Sequence, residues 1–256
     1  EVCGKVLAHI TADQMIKSGY QFFPNRKSFS TFQSAVAKTC SISQYDNTAN
    51  MTNFSVIDDS HLDVTKGIIA GHAKPIVVPS GSVRRIVIYQ RDLSRQFDDT
   101  EGMASKLKHM LNEGQPESLH WEVSIVYHSD ERAPCELVAL IQKATVLLSS
   151  HGFQSMLLLF QPTDSLLVEV FPKYYFRPKV YGRIQLGLRA NTGIARDLLS
   201  FESGVASSTL TIWLGPLLSK CVPYSPICRH LLRDQDVYMS KHDLNYLANF
   251  ILKNIT

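Results

Sequence analysis

A chain of 256 residues, 45% hydrophobic and 19% charged, holds enough apolar mass for one large folded domain and carries no sign of disorder or repeats. Its net charge of +3 leans towards an anionic ligand and excludes the dense basic stripe of a nucleic-acid binder. The densest apolar run, Met156 to Phe160, is far too short to span a bilayer, and a membrane anchor is possible upstream of the given sequence.

In chain order, the first eighty residues read as irregular. Ile10 to Lys17 and Phe29 to Ala37 are predicted helices, and Ser41 to Ser60 an exposed polar loop. That loop carries sequons at Asn50 and Asn53, and a third stands at Asn254; all three are acceptors if the chain is luminal. His61 to Ala70 shows no clean period, and Lys74 to Pro79 reads as an extended linker. From Val83 the pattern sharpens. Arg85 to Tyr89 is an apolar run suited to a strand covered on both faces. Thr100 to Leu111 follows as an amphipathic helix with Met103, Leu107, Met110 and Leu111 on one side. Trp121 to Tyr127 alternates like a strand, and Pro134 opens a helix through Lys143.

The next stretch, ATVLLSSHGFQSMLLLFQPTDSLLVEVFP from Ala144 to Pro172, predicts a buried strand (Thr145 to Leu148), a tight turn at His151-Gly152, a short helix, and a second strand ending in the lone carboxylate Glu169. Strands alternating with helices at this spacing imply βαβ units and a parallel sheet, an α/β fold of Rossmann-like character. Such sheets bind ligands beyond the carboxyl ends of their strands, where Arg91, His151-Gly152 and Glu169 are all expected. Beyond Pro172 lies an aromatic and basic cluster, Lys173 to Lys179, then a predicted helix at Tyr181 to Leu188, a loop at Pro216 to Pro226 and a terminal helix at His242 to Lys253. One short cluster suits ordinary packing with snorkelling lysines better than a single-strand nucleic-acid site, so no nucleic-acid partner is expected.

Five cysteines lack CxxC or Cys/His ligand spacing, which argues against structural zinc. Cys221 and Cys228 flank the loop VPYSPI and would close a small disulfide in an oxidising compartment; buried free thiols are the alternative.

The candidate residues carry a common chemistry. A glycine turn between a strand and a helix lets backbone approach a phosphate closely, and the first helical N–H groups point at it. Arg91 and Arg95 follow the first buried strand, and guanidinium forks match diphosphate oxygens. Glu169 at a strand end would accept hydrogen bonds from sugar hydroxyls. Against each stands a plain reading: a surface turn, an Arg91 pair with Asp92 or Asp98, and a rim Glu169 paired with Arg177 or Lys173.

Taken together, these residues resemble glycosyltransferase family 61. That family carries a strand followed by an arginine pair (here Arg91 and Arg95), a strand ending in His-Gly-Ala-Gly-Leu, a short helix with Leu-Phe-x-Pro, and a strand ending in Glu-x-x-Pro. This chain has His151-Gly152, Leu159-Phe160-Gln161-Pro162 and Glu169-Val170-Phe171-Pro172 in the same order, over roughly Val83 to Gly187. Where the family has Ala-Gly-Leu, this chain has Phe153-Gln154-Ser155, which narrows the room for a diphosphate. The resemblance implies a GT-B-like arrangement, with residues 1–80 as the tail of an acceptor-side Rossmann-like half and linker, and residues 81–256 as the nucleotide-sugar domain. It implies inverting transfer of GlcNAc or a pentose such as xylose from a UDP-sugar to a protein or polysaccharide hydroxyl, in the Golgi or endoplasmic reticulum lumen. The donor would lie on Arg91, Arg95, His151, Gly152, Phe153, Gln154 and Glu169, with no cofactor and no metal, because arginines and a helix N-terminus balance the leaving diphosphate. No catalytic base is named. The alternative is a catalytically inactive, glycosyltransferase-like binding module of the secretory pathway.

Overall fold

In the computed structural model, which describes residues 26–41, 68–70, 83–130, 132–162, 165–177 and 196–255, the apolar runs of the sequence become strands of one six-stranded sheet. The strands are β1 (Ile68–Ala70), β2 (Arg84–Gln90), β3 (Trp121–Tyr127), β4 (Val146–Ser150), β5 (Ser165–Phe171) and β6 (Arg196–Glu202), arranged β1-β6-β5-β4-β2-β3. β2 to β6 pair in parallel, and β1 runs antiparallel along the outer edge of β6. β4 and β5 are buried at every position, as uninterrupted apolar runs require when helices cover both faces.

Side-chain alternation divides the core in two. Ile86, Ile88, Val146, Leu148, Val168 and Val170 pack with α2 (Thr100–Asn112) and with the terminal helix α6 (Lys241–Asn254). Val87, Tyr89, Leu147 and Leu167 pack on the other side with α1 (Arg26–Thr39), α3 (Pro134–Ile141) and a 3₁₀ segment (Phe153–Phe160). Helices on both faces make this a doubly wound α/β fold of Rossmann-like kind. The start of α2 is capped by Asp99, which accepts from the Gly102 N–H at 2.9 Å. At its end the Asn112 side-chain amide grips the Trp121 backbone through two bonds (2.7 and 3.1 Å), which pins the end of the helix to the start of β3.

The strand order sets the site. From β2 the chain steps to β3 on one side, then returns across β2 to β4 on the other. Connections leaving β2 and β4 therefore diverge, and a crevice opens beyond their carboxyl ends, at Arg91 and His151.

Several expectations are corrected. Helix α1 packs Phe29 and Val36 into the core with Val87 and Phe160, and β1 extends the sheet along the edge of β6. The Pro216 to Pro226 region is no loop: α4 (Thr209–Cys221) runs through Pro216, and Pro226 opens α5 (Pro226–Arg233), where the missing N–H costs nothing. Strand β5 continues to Phe171, two residues past Glu169. Residues 10–17, 42–60, 74–79 and 181–188, with the sequons at Asn50 and Asn53, lie outside the described residues. Asn254 closes α6 with its side-chain amide donating to the Phe250 carbonyl at 2.7 Å. Among the described residues no helix is long and apolar enough to cross a membrane.

Two disulfides staple the fold. Cys221–Cys228 joins α4 to α5, and Cys40–Cys135 ties the end of α1 to the start of α3 across 95 residues of sequence. The long loop closed by Cys40–Cys135 removes more unfolded-state entropy, about 4–5 kcal/mol in the chain-entropy account. Cys135→Ser is expected to lower the thermal midpoint by on the order of 10 °C, read by calorimetry. An unchanged midpoint would show that α1 adds nothing to the cooperative unit.

Candidate functional site

The site begins with a side chain the sequence reading passed over. Gln90, buried at the end of β2, folds its amide onto Phe97: Oε1 accepts from the Phe97 N–H at 3.2 Å and from Thr100 Oγ1 at 2.7 Å, while Nε2 donates to the Phe97 carbonyl at 3.4 Å. The Gln96 carbonyl accepts from the Val237 N–H at 2.7 Å, and the Gln96 N–H donates to Asp236 Oδ1 at 3.0 Å. The loop 91–96 is thus closed at its neck. Within it Leu93 (φ 68°) and Arg95 (φ 58°) occupy the left-handed region, at about 1–2 kcal/mol each. The turn carries both arginines back over the sheet.

There the two guanidiniums converge. Arg91 Nη1 donates to the His151 carbonyl at 3.2 Å, and Arg95 Nη1 donates to the same oxygen at 2.9 Å. Residues sixty positions apart in sequence are held on one atom at the switch point.

Glu169 lies beneath, wholly buried. Alternation along β5 puts it on the same face as Leu167, and the parallel register sets it between Ser149 of β4 and Ser200 of β6. Its Oε1 meets His151 Nδ1 at 2.7 Å and accepts from Ser155 Oγ at 3.3 Å; its Oε2 accepts from Ser200 Oγ at 3.5 Å. Glu169 thus sits inside the sheet and not at its rim, and its partners are His151, Ser155 and Ser200 in place of Arg177 or Lys173. Lys173 instead pairs with Glu202 at 3.2 Å. A buried carboxylate is tolerable only when its oxygens are occupied, and here they orient His151. The imidazole stacks on Phe171 with centroids 4.3 Å apart, and the His151 N–H donates to the Val170 carbonyl at 2.7 Å. Arg91 and Glu169 therefore meet through one residue, the first at its carbonyl and the second at its ring.

At Gly152 the approach is close: a Cβ there would meet Arg91 Nη1 and the Gln154 amide, and those side-chain ends would have to shift. Gln154 folds back to donate to the Ser150 carbonyl, and Phe153 opens the 3₁₀ segment. Two further groups escaped the sequence reading. Asp234, just past α5, lies 4.0 Å from Arg95 Nε, and Tyr175 packs beside His151 with ring centroids 5.7 Å apart. The signal for Asp234 was an acid following an arginine pair, hidden because the prolines suggested a loop.

Burial, then the neighbouring Arg91 cation, push Arg95 down to about 10, against the pull of Asp234. The folded value lies below the unfolded one, so the cost of the cation is fully present at neutral pH and is relieved as pH rises past about 10. Its side chain is only 14% exposed, and its Nε is buried with no hydrogen-bond partner. The fold thus holds an under-compensated cation at the switch point.

No protein-family model matches the chain, and no curated protein sequence matches it.

Arg95→Met is expected to leave the protein as stable as before or more stable, by about 1 kcal/mol or more, measured by urea unfolding without added ligand. A clear loss of stability would mean that the bond to His151 outweighs the buried charge.

Proposed function

We propose that this chain is the nucleotide-sugar-binding part of a glycosyltransferase like those of family 61, with a GT-B-like arrangement. It would accept a UDP-sugar and transfer GlcNAc or a pentose, with inversion, to a protein or polysaccharide hydroxyl. The observation that carries the reading is the convergence of Arg91 and Arg95 on the His151 carbonyl at the sheet switch point. Doubly wound sheets take their nucleotide at that place. Two arginines beside a glycine turn and the start of a 3₁₀ segment are the donors that a diphosphate needs.

In the proposed reaction an acceptor hydroxyl, deprotonated by a base, attacks the anomeric carbon while the bond to the diphosphate breaks. Negative charge grows on the departing oxygens. Arg91 and Arg95 stabilise it, and their fixed placement means that little reorganisation accompanies the step. His151 positions both forks through its carbonyl, and Glu169 holds His151. The disulfides Cys40–Cys135 and Cys221–Cys228 suit an oxidising lumen, in keeping with a Golgi or endoplasmic reticulum setting.

One observation favours the second reading, a binding module that does not transfer sugar. The space over Gly152 already holds Arg91 Nη1 and the Gln154 amide of the chain itself. Release of UDP from UDP-GlcNAc or UDP-xylose separates the two readings: turnover, even slow, excludes the inactive module.

UDP at about a hundred times its Kd should raise the thermal midpoint by roughly 5–10 °C, and Arg91→Ala should abolish that shift while the protein stays folded. Well-folded protein whose midpoint ignores UDP would overturn the proposal.

A further inference from the structure

Beside Tyr175 lies a concentration of positive charge that the two-arginine account leaves unused. Arg229 and Arg233 stand four residues apart on α5, on one face of the helix. Cys228, bonded to Cys221, fixes the backbone immediately before Arg229. The ordinary Ser225 cap and Pro226 start secure the first turn of the same helix.

Four guanidiniums, those of Arg177, Arg233, Arg229 and Arg95, act on the buried Tyr175 hydroxyl. Burial still holds that phenol above its ordinary value, the arginines opposing it. The carboxylate that answers this charge is shared. Asp234 accepts from Arg233 Nε at 2.9 Å and from Arg233 Nη2 at 3.2 Å, meets His230 Nδ1 at 2.7 Å, and lies 4.0 Å from Arg95 Nε. Burial raises Asp234, but the Arg233 hydrogen bond and charge, with His230 and Arg95, bring it net below the usual carboxylate range. Two donors are left over: Arg229 Nε and Arg95 Nε are buried and have no hydrogen-bond partner. A buried N–H of a cation without an acceptor is unfavourable unless a ligand supplies one.

We propose that α5 forms the second half of a diphosphate clamp, in which Arg229 and Arg233 join Arg95 around Tyr175 to bind the phosphate group that lies farther from Arg91 and Gly152. The assignment rests on reading the switch point as a diphosphate site. It names a diphosphate over a monophosphate because the cations span two elements, the loop after β2 and helix α5, whose Leu232 and Cys228 pack with Tyr175. The disulfide then has a task beyond stability, holding Arg229 at its station.

Isothermal titration of the whole chain with UDP, UMP and inorganic pyrophosphate, on the wild type and on Arg229→Gln, Arg229→Lys and Arg91→Ala, tests this. Arg229→Gln should weaken UDP and pyrophosphate by about tenfold or more and UMP by less than about twofold, with Arg229→Lys in between and circular-dichroism melts unchanged. If UDP binds with Arg91 dependence but Arg229→Gln matches the wild type, the α5 clamp falls and the nucleotide reading stands. If pyrophosphate binding depends on Arg229 and UDP binds no tighter than pyrophosphate, the clamp stands and the nucleotide reading falls. Equal losses for UMP and UDP would overturn the diphosphate assignment.

Discussion

A carboxylate with no solvent exposure, set in a strand between apolar neighbours, has to be answered from within the protein, and His151 answers Glu169 at 2.7 Å. Much follows from that bond. It fixes the imidazole against Phe171, and with the His151 N–H bound to Val170 it prolongs the pairing of β4 with β5 by one residue. The chain then turns at Gly152 with the His151 carbonyl pointing at the loop after β2. Both arginines close on that carbonyl. One residue is thus bonded to the carboxylate through its ring and to both arginines through its carbonyl.

The loop after β2 shows the same logic in its backbone. Two residues in the left-handed region are unfavourable, and the bonds from Gln90, Val237 and Asp236 at the neck offset that strain. Geometry that local propensity would not choose is held by its surroundings. The depressed Arg95 guanidinium belongs to the same pattern, a buried cation beside a second cation that the fold holds in place.

Much of this was legible in the sequence, for definite reasons. β2, β4 and β5 are covered on both faces, so their apolar runs stand out, and α2 shows its buried stripe at helical spacing. The order Arg91, Arg95, His151-Gly152 follows from strands ending at one edge of a parallel sheet. Glu169 was misplaced because its environment depends on register: Ser149 and Ser200 become its neighbours only once β4, β5 and β6 are aligned. Strand β6 reads RDLLSFE, polar at both ends, and gave no clear period. Helices α4 and α5 were hidden by Pro216 and Pro226, one inside a helix and one at its favourable first position. Pairing of Cys40 with Cys135, 95 residues apart, needs the packing of α1 on the sheet, which no local pattern announces.

The central claim is that the arginines at the switch point receive a diphosphate, and arginine side-chain NMR reads it directly. With ¹⁵N-labelled protein titrated with UDP, the Nε–H signals of Arg91 and Arg95 should move together and saturate at one midpoint. Arg85, bound to Glu122 near the opposite end of β2, should stay still. Signals of Arg91 and Arg95 that remain fixed at saturating UDP, or that move no more than that of Arg85, would contradict the account.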